Sequence, residues 1–234
     1  MKNLLRYIIL GFILILGVNA CKDKDDPEIP YLGLNYYPDE IGHWVIYDVD
    51  STYKYGFDLV THHAHYQIKE VITDTFLDNE GRKTLRLERY RKDSMSYPDW
   101  TIYQVWTANK TASNLERYED NYRYVKLQFP LTRNATWNGN SKNTLNAFDY
   151  IMTDVHETET VGKLLFDSVS TVLHTDDTLN LIERTYEYEK YAANAGLVYR
   201  YSYRLEQQPV QGQLNVYDTT LFTIYKETVL DYKK

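Results

Sequence analysis

Tyr199-Arg200-Tyr201-Ser202-Tyr203-Arg204-Leu205-Glu206 alternates without interruption, three tyrosines and a leucine on one side of the chain and charged or hydroxyl side chains on the other. A period of two is the signature of a strand with two different faces. Upstream, Thr185 to Tyr191 repeats the pattern, with Tyr186 and Tyr188 set between Glu187 and Glu189. Between the two runs lies Ala192-Ala193-Asn194-Ala195-Gly196, whose Asn and Gly tolerate positive φ, so the pair reads as a β-hairpin.

Outward from this hairpin the same grammar recurs. Tyr66 to Thr73 and Thr84 to Tyr90 flank the turn residues Asp78-Asn79-Glu80-Gly81. Further strands are expected at Trp44 to Val49, Thr101 to Thr107, Tyr122 to Phe129, Phe148 to Val155, Lys163 to Leu173 and Leu221 to Leu230. Tyrosine is the compositional outlier, with 24 residues, and it suits pleated surfaces. Long apolar helical periodicity is missing, which disfavours α/β folds. The expectation is all-β: a single antiparallel domain over residues 31–234, as a half-barrel, a barrel-like sheet or a sandwich. Leu131 to Asn146 is polar and Asn-rich, and is expected to be an exposed loop carrying Trp137.

The N-terminus carries an address. Lys2 and Arg6 precede the apolar run Tyr7 to Val18, which is shorter than the about 20 residues needed to span a bilayer. Residues 1–20 therefore read as a signal peptide. Leu16-Gly17-Val18-Asn19-Ala20-Cys21 resembles the lipobox of bacterial lipoproteins, and Cys21 is the one cysteine of the chain. The resemblance implies cleavage after Ala20 and fatty acylation at Cys21 with palmitate-type chains, two or more of which make a lasting anchor. Lys22-Asp23-Lys24-Asp25-Asp26 resembles the acidic export signal that sends lipoproteins of the Bacteroidota to the cell surface. Residues 21–30 are then a tether, and Lys22 to Pro30 reach at most about 30 Å. The alternative address is the periplasmic face of the outer membrane.

Two runs of the body carry a resemblance as well. Tyr36-Tyr37-Pro38 with Gly42-His43-Trp44-Val45-Ile46-Tyr47-Asp48 is similar to the opening strand of β-rich Bacteroidota lipoproteins of unassigned function. Tyr191 to Val198 is similar to a late hairpin of the same proteins and of some half-barrel envelope proteins, with Ala195 where a branched apolar residue is commoner. Asp50-Ser51-Thr52, Asp93-Ser94-Met95, Asp167-Ser168-Val169, Asp177-Thr178-Leu179 and Asp218-Thr219-Thr220 resemble the O-glycosylation acceptor motif of exported Bacteroidota proteins, which would place glycans on Ser51, Ser94, Ser168, Thr178 and Thr219.

Loss of Lys2 and Arg6 with the signal leaves 24 basic against 33 acidic residues, a formal charge of −9, so phosphate backbones are not expected as partners. With its cysteine used for anchoring, the body has no disulfide and depends on packing. In His62-His63-Ala64-His65 the second and third imidazoles would share one strand face and the first would point away, a surface pattern rather than a metal site. His156-Glu157-Thr158-Glu159-Thr160 lacks the second histidine of the helical zinc motif, and Asp78 to Gly81 lacks the register of a calcium loop. There is no G-x-S-x-G elbow, phosphate-cradling loop or nucleophilic cysteine, so no cofactor and no enzymatic activity are expected.

The functional expectation is a lipid-anchored, non-enzymatic binding or accessory protein of the cell envelope, joined to the membrane through Cys21 and to an envelope protein or glycan through its aromatic faces. Trp137, Tyr199, Tyr201 and Tyr203 are the candidate ligand contacts. A glycan-binding protein or hydrolase, and a half-barrel carrier of an apolar ligand, are the alternatives.

Overall fold

A computed structural model describes residues 31–56, 60–93, 99–214 and 216–233. The signal, Cys21 and the tether Lys22 to Asp26 lie outside the described residues, as does Ser94. The chain divides into two units, Met1–Tyr31 and Leu32–Lys234, and the strands belong to the second.

That unit is all-β. Its strands are β1 (Trp44–Tyr55), β2 (His62–Leu77), β3 (Lys83–Asp93), β4 (Thr101–Lys110), β5 (Asn114–Glu119), β6 (Tyr122–Gln128), β7 (Thr136–Asn138), β8 (Asp149–Val161), β9 (Leu164–Asp177), β10 (Glu183–Ala192), β11 (Gly196–Pro209) and β12 (Tyr217–Tyr232). Among the described residues, the helical content is one short 3-10 turn, Leu34–Tyr36. The strands form one sheet in the order β6-β5-β4-β3-β2-β1-β12-β11-β10-β9-β8-β7, each beside its neighbour in sequence except at two places. There, β1 pairs with β12 antiparallel, and β6 and β7 are the two ends of the sheet.

Local chemistry sets the reversals. Asp120 and Asn121 alone join β5 to β6, both with positive φ (46° and 72°), the geometry whose twist matches a hairpin. Asn194 and Gly196 (φ 65° and 92°) turn β10 into β11, as their residue types lead one to expect.

The ends of the sheet then meet. Val125 N–H of β6 donates to Gly139 O at 2.9 Å, and Trp137 Nε1 of β7 donates to Val125 O at 2.8 Å. The result is a nearly closed barrel. Arg200 on β11 and Glu119 on β5 are separated along the sheet by β4, β3, β2, β1 and β12, yet lie 3.1 Å apart across the interior.

The seam corrects the expectation for Leu131 to Asn146. Trp137 is not on an exposed loop: it forms part of β7, is 8% exposed, and packs edge-on against Tyr150 with ring centroids 6.1 Å apart. The asparagines that made this stretch look like a solvated loop serve the backbone instead. Asn138 Oδ1 accepts from Asn140 N–H (2.9 Å) and Phe148 N–H (3.0 Å), and Asn143 Nδ2 donates to Arg123 O of β6 (2.9 Å). Short amide side chains of this kind replace ladder bonds where strands are too brief to supply them.

One end of the barrel is sealed by the segment before β1. Gly33 takes φ 76°, and a side chain there would press on Leu131 at 3.0 Å, so glycine is required. Lys110 Nζ then donates to Leu34 O and Tyr37 O, and Asn194 N–H donates to Asn35 O at 2.8 Å. Fully buried Tyr36 joins Leu85, Leu87, Leu115, Leu127, Met152 and Tyr191 in one apolar cluster beneath this seal. A second cluster gathers Val45, Tyr47, Val49, Ile68, Phe166, Val169, Val198 and Val229.

Candidate functional site

The alternation on β10 and β11 continues into the barrel, but the faces are assigned against intuition. Arg200 and Glu189 pair across the two strands and point inward, so Tyr199, Tyr201 and Tyr203 point outward. On the outer face Tyr186, Tyr188, Tyr199 and Tyr201 lie against one another, with centroids 5.5 to 6.0 Å apart, and Tyr203 meets Phe222 edge-on. All are half-buried. Trp137 is remote from this ladder in sequence and is committed to the seam.

The interior is occupied by charge. Glu227 of β12 pairs with Arg89 of β3, whose Nε lies 3.3 Å from Glu70 of β2. Glu70 also accepts from Arg117 Nη2 (2.7 Å), and Arg117 Nε lies 2.9 Å from Glu119. Arg200 and Lys126 each bridge Glu119 and Glu189, at 2.8 to 3.4 Å. Tyr191 Oη donates to Glu189 at 2.7 Å, and His174 Nε2 lies 3.4 Å from the same carboxylate. At the centre, the indole of Trp106 has Arg89 at 4.0 Å, Arg117 at 5.3 Å and Arg200 at 5.9 Å, a cation–π hub.

Four cations and four carboxylates balance, which is what makes such burial tolerable. Burial by itself would raise Glu119, but Arg200, Lys126 and Arg117 outweigh it and hold the carboxyl down at about 2. Glu189 is likewise pushed up by burial and then brought well below the ordinary range by Lys126, Arg200 and His174. Burial disfavours the charged form of Arg117, yet Glu70, Tyr37 and Glu119 more than reverse that.

Beyond this network, away from the seal, the inner face opens into two adjoining clefts. The deeper, about 250 Å³, is lined by Glu119, Tyr124, Lys126, Tyr150, His174 and Arg200 among others, and reaches Glu187, Ser202 and, of the expected ligand contacts, Tyr201 beside Tyr188. The outer, about 400 Å³, is lined by Phe148, Thr175, Asp177, Glu183, Thr185, Glu187 and Arg204. Glu187 belongs to both, and Ser202 Oγ donates to its Oε1 at 2.8 Å. Tyr150 stacks flat on His174, with centroids 3.9 Å apart, and meets Phe148 edge-on at 6.2 Å. Gly139 makes room for this ring, since a Cβ there would lie 2.5 Å from it. A third groove, about 410 Å³, lies at the sealed end, where Lys110 is already spent on Asp39 and on the carbonyls of Leu34 and Tyr37.

Other residues singled out by the sequence are dispersed. His63 and His65 share the outer face of β2, where His65 Nε2 lies 2.9 Å from Asp48 and His63 Nδ1 lies 3.0 Å from Thr52 Oγ1, while His62 stacks on Tyr53. No group of three or more His, Cys, Asp or Glu among the described residues converges to hold a metal. Thr178 is exposed on the β9–β10 connection, Ser51 and Thr219 are half-buried within strands, and Ser168 Oγ is engaged with Tyr36 Oη at 2.6 Å. Sequence reasoning missed the inward residues Arg89, Arg117, Lys126, Glu119, Glu189 and Glu227. Nothing in their local sequence separates them from surface charges, and only pairing between strands distant in sequence marks them as interior.

No family model matches the sequence, and no curated protein matches it. Among solved structures, the chain is similar to a crystal structure from Parabacteroides distasonis described as that of a lipoprotein, with a TM-score of 0.36 and 13% identity over 85% of this chain and 98% of the other.

Proposed function

We propose that the protein is a lipid-anchored lipoprotein of a bacterial envelope, displayed at the outer membrane through Cys21, and that it acts by recognition rather than catalysis through the unsealed end of its barrel. The lipobox-like run ending at Cys21 supports the anchor. The observation that carries the recognition reading is the charge-neutralised network. Glu119 and Glu189 are held ionised by fixed cations, which makes a rigid floor beneath the clefts, whereas a general acid or base needs a pKa near the working pH. Leu34–Tyr36 close one end of the barrel, and this leaves the clefts at the other end for a ligand or partner. A carrier of apolar ligands loses support, because the middle of the interior is charged.

The anchor is tested by Cys21→Ser. In cells with lipoprotein processing, the substitution should shift the protein from the detergent phase to the aqueous phase in phase partitioning and leave the precursor uncleaved. Unaltered partitioning and processing would end the assignment. Protease accessibility of intact cells distinguishes surface display from the periplasmic face.

A further inference from the structure

We infer that the two adjoining clefts at the unsealed end form a saccharide-binding site, selective for neutral or amine-bearing sugars over acidic ones. The inference deepens the recognition reading and rests on it.

Sugars present two kinds of surface, apolar C–H faces and a rim of hydroxyls, and the clefts supply both counterparts. Phe148 is 40% exposed and adjoins the Tyr150 ring, and Tyr124 completes an aromatic wall in the deeper cleft. Polar groups stand beside that wall at fixed positions. Glu187 is oriented by Ser202, Asp177 offers acceptors, and Arg204 is held by Glu206 with Glu183 3.6 Å away. Concave sites that combine aromatic walls with a few placed polar groups are the common form of small-molecule site, roughly 300–1,000 Å³ in size, which the joined clefts match.

Charge sets the selectivity. Lys126 and Arg200 are already consumed by Glu119 and Glu189, His174 faces Glu189, and Arg204 is paired with Glu206 and lies 3.6 Å from Glu183, so the charges left facing the clefts are the carboxylates Asp120, Asp177 and Glu187. That surplus of carboxylates repels uronates and sulfated or phosphorylated sugars, and welcomes hydroxyl and ammonium donors. Because the floor is cross-linked by ion pairs, the walls are ordered before a ligand arrives, which lowers the entropic cost of binding.

The test is calorimetric titration of the full-length protein in detergent micelles with neutral, amine-bearing and uronate oligosaccharide series. At least one neutral or amine-bearing series should bind and the uronates should not. Phe148→Ala and Glu187→Gln should each weaken binding by roughly tenfold, the scale of one lost stacking or charged hydrogen-bond contact, with the thermal midpoint unchanged. Tyr186→Ala, on the outer tyrosine ladder, serves as the control. Failure of every neutral and amine-bearing series, or binding abolished by Tyr186→Ala and untouched at Phe148 and Glu187, overturns the site. If sugars fail but crosslinking still captures an envelope partner that Phe148→Ala loses, the recognition reading stands and the saccharide assignment falls.

Discussion

Arg117 is fully buried and touches two carboxylates, Glu70 and Glu119, with the Trp106 ring within cation–π reach. Replacing it with methionine would keep the volume and strand two buried acids with fewer cations. Arg117→Met should therefore cost about 3–5 kcal/mol, read from the urea midpoint, since breaking a buried pair leaves an uncompensated charge. A loss below about 1 kcal/mol would mean that the charges are better solvated than their burial indicates. The same residues show where local sequence stops being informative. In Tyr199 to Glu206 the alternation correctly divides two faces, but nothing local marks the side of Arg200, Ser202 and Arg204 as the inner one. Their neutralising partners come from far along the chain, Glu119 lying 81 residues from Arg200. No window of sequence contains both.

At the scale of elements, the weak point is β7, whose three residues hold one edge of the seam. Trp137→Phe keeps most of the packing and deletes the bond to Val125 O. It should cost about 1–3 kcal/mol, the penalty for leaving a buried carbonyl unpaired. Trp137→Ala should cost about 3–5 kcal/mol. In both variants hydrogen exchange should accelerate first at Val125 and Gly139, and uniform acceleration across β1 and β12 would show that the seam is not a separate opening unit. The long strands β2, β10, β11 and β12 were legible because their alternation runs for many residues and their turns carry Asn or Gly. The short strands were not: Asn114–Glu119 alternates too briefly to register, and Thr136–Asn138 sits among turn-forming asparagines that mask it. The tyrosine wealth pointed to pleated surfaces, and the ladder on β10 and β11 is one, although the clefts themselves depend on side chains from β6, β8 and β9 that periodicity could not bring together.

For the whole molecule, the interior charges make stability a function of acidity. Glu119 is held at about 2 in the folded state and Glu189 well below its ordinary range, whereas both titrate near about 4.3 in an unfolded chain. Depressed folded-state values stabilise above the unfolded value and lose that contribution as pH falls toward the folded one. Urea-derived stability should accordingly be level near neutrality and fall steadily from about pH 5 toward pH 2, with a slope that Glu119→Gln and Glu189→Gln reduce. A profile unchanged by those substitutions would remove the network as its source. Added salt should matter little, because buried pairs are screened far less than exposed ones.

The antiparallel order, in which β1 lies beside β12 and the sheet ends at β6 and β7, makes the barrel two contiguous runs of six strands. Severing the peptide between β6 and β7 would yield fragments of which one bears Glu70, Arg89, Arg117, Glu119 and Lys126, and the other Glu189, Arg200 and Glu227. Among these interior residues the first piece has one positive charge in excess and the second one negative, and Arg89–Glu227, Lys126–Glu189 and Arg200–Glu119 all cross the division. Co-expressed as separate polypeptides, the two pieces each leave buried charges unmatched until they join, so this chain is a natural candidate for fragment complementation.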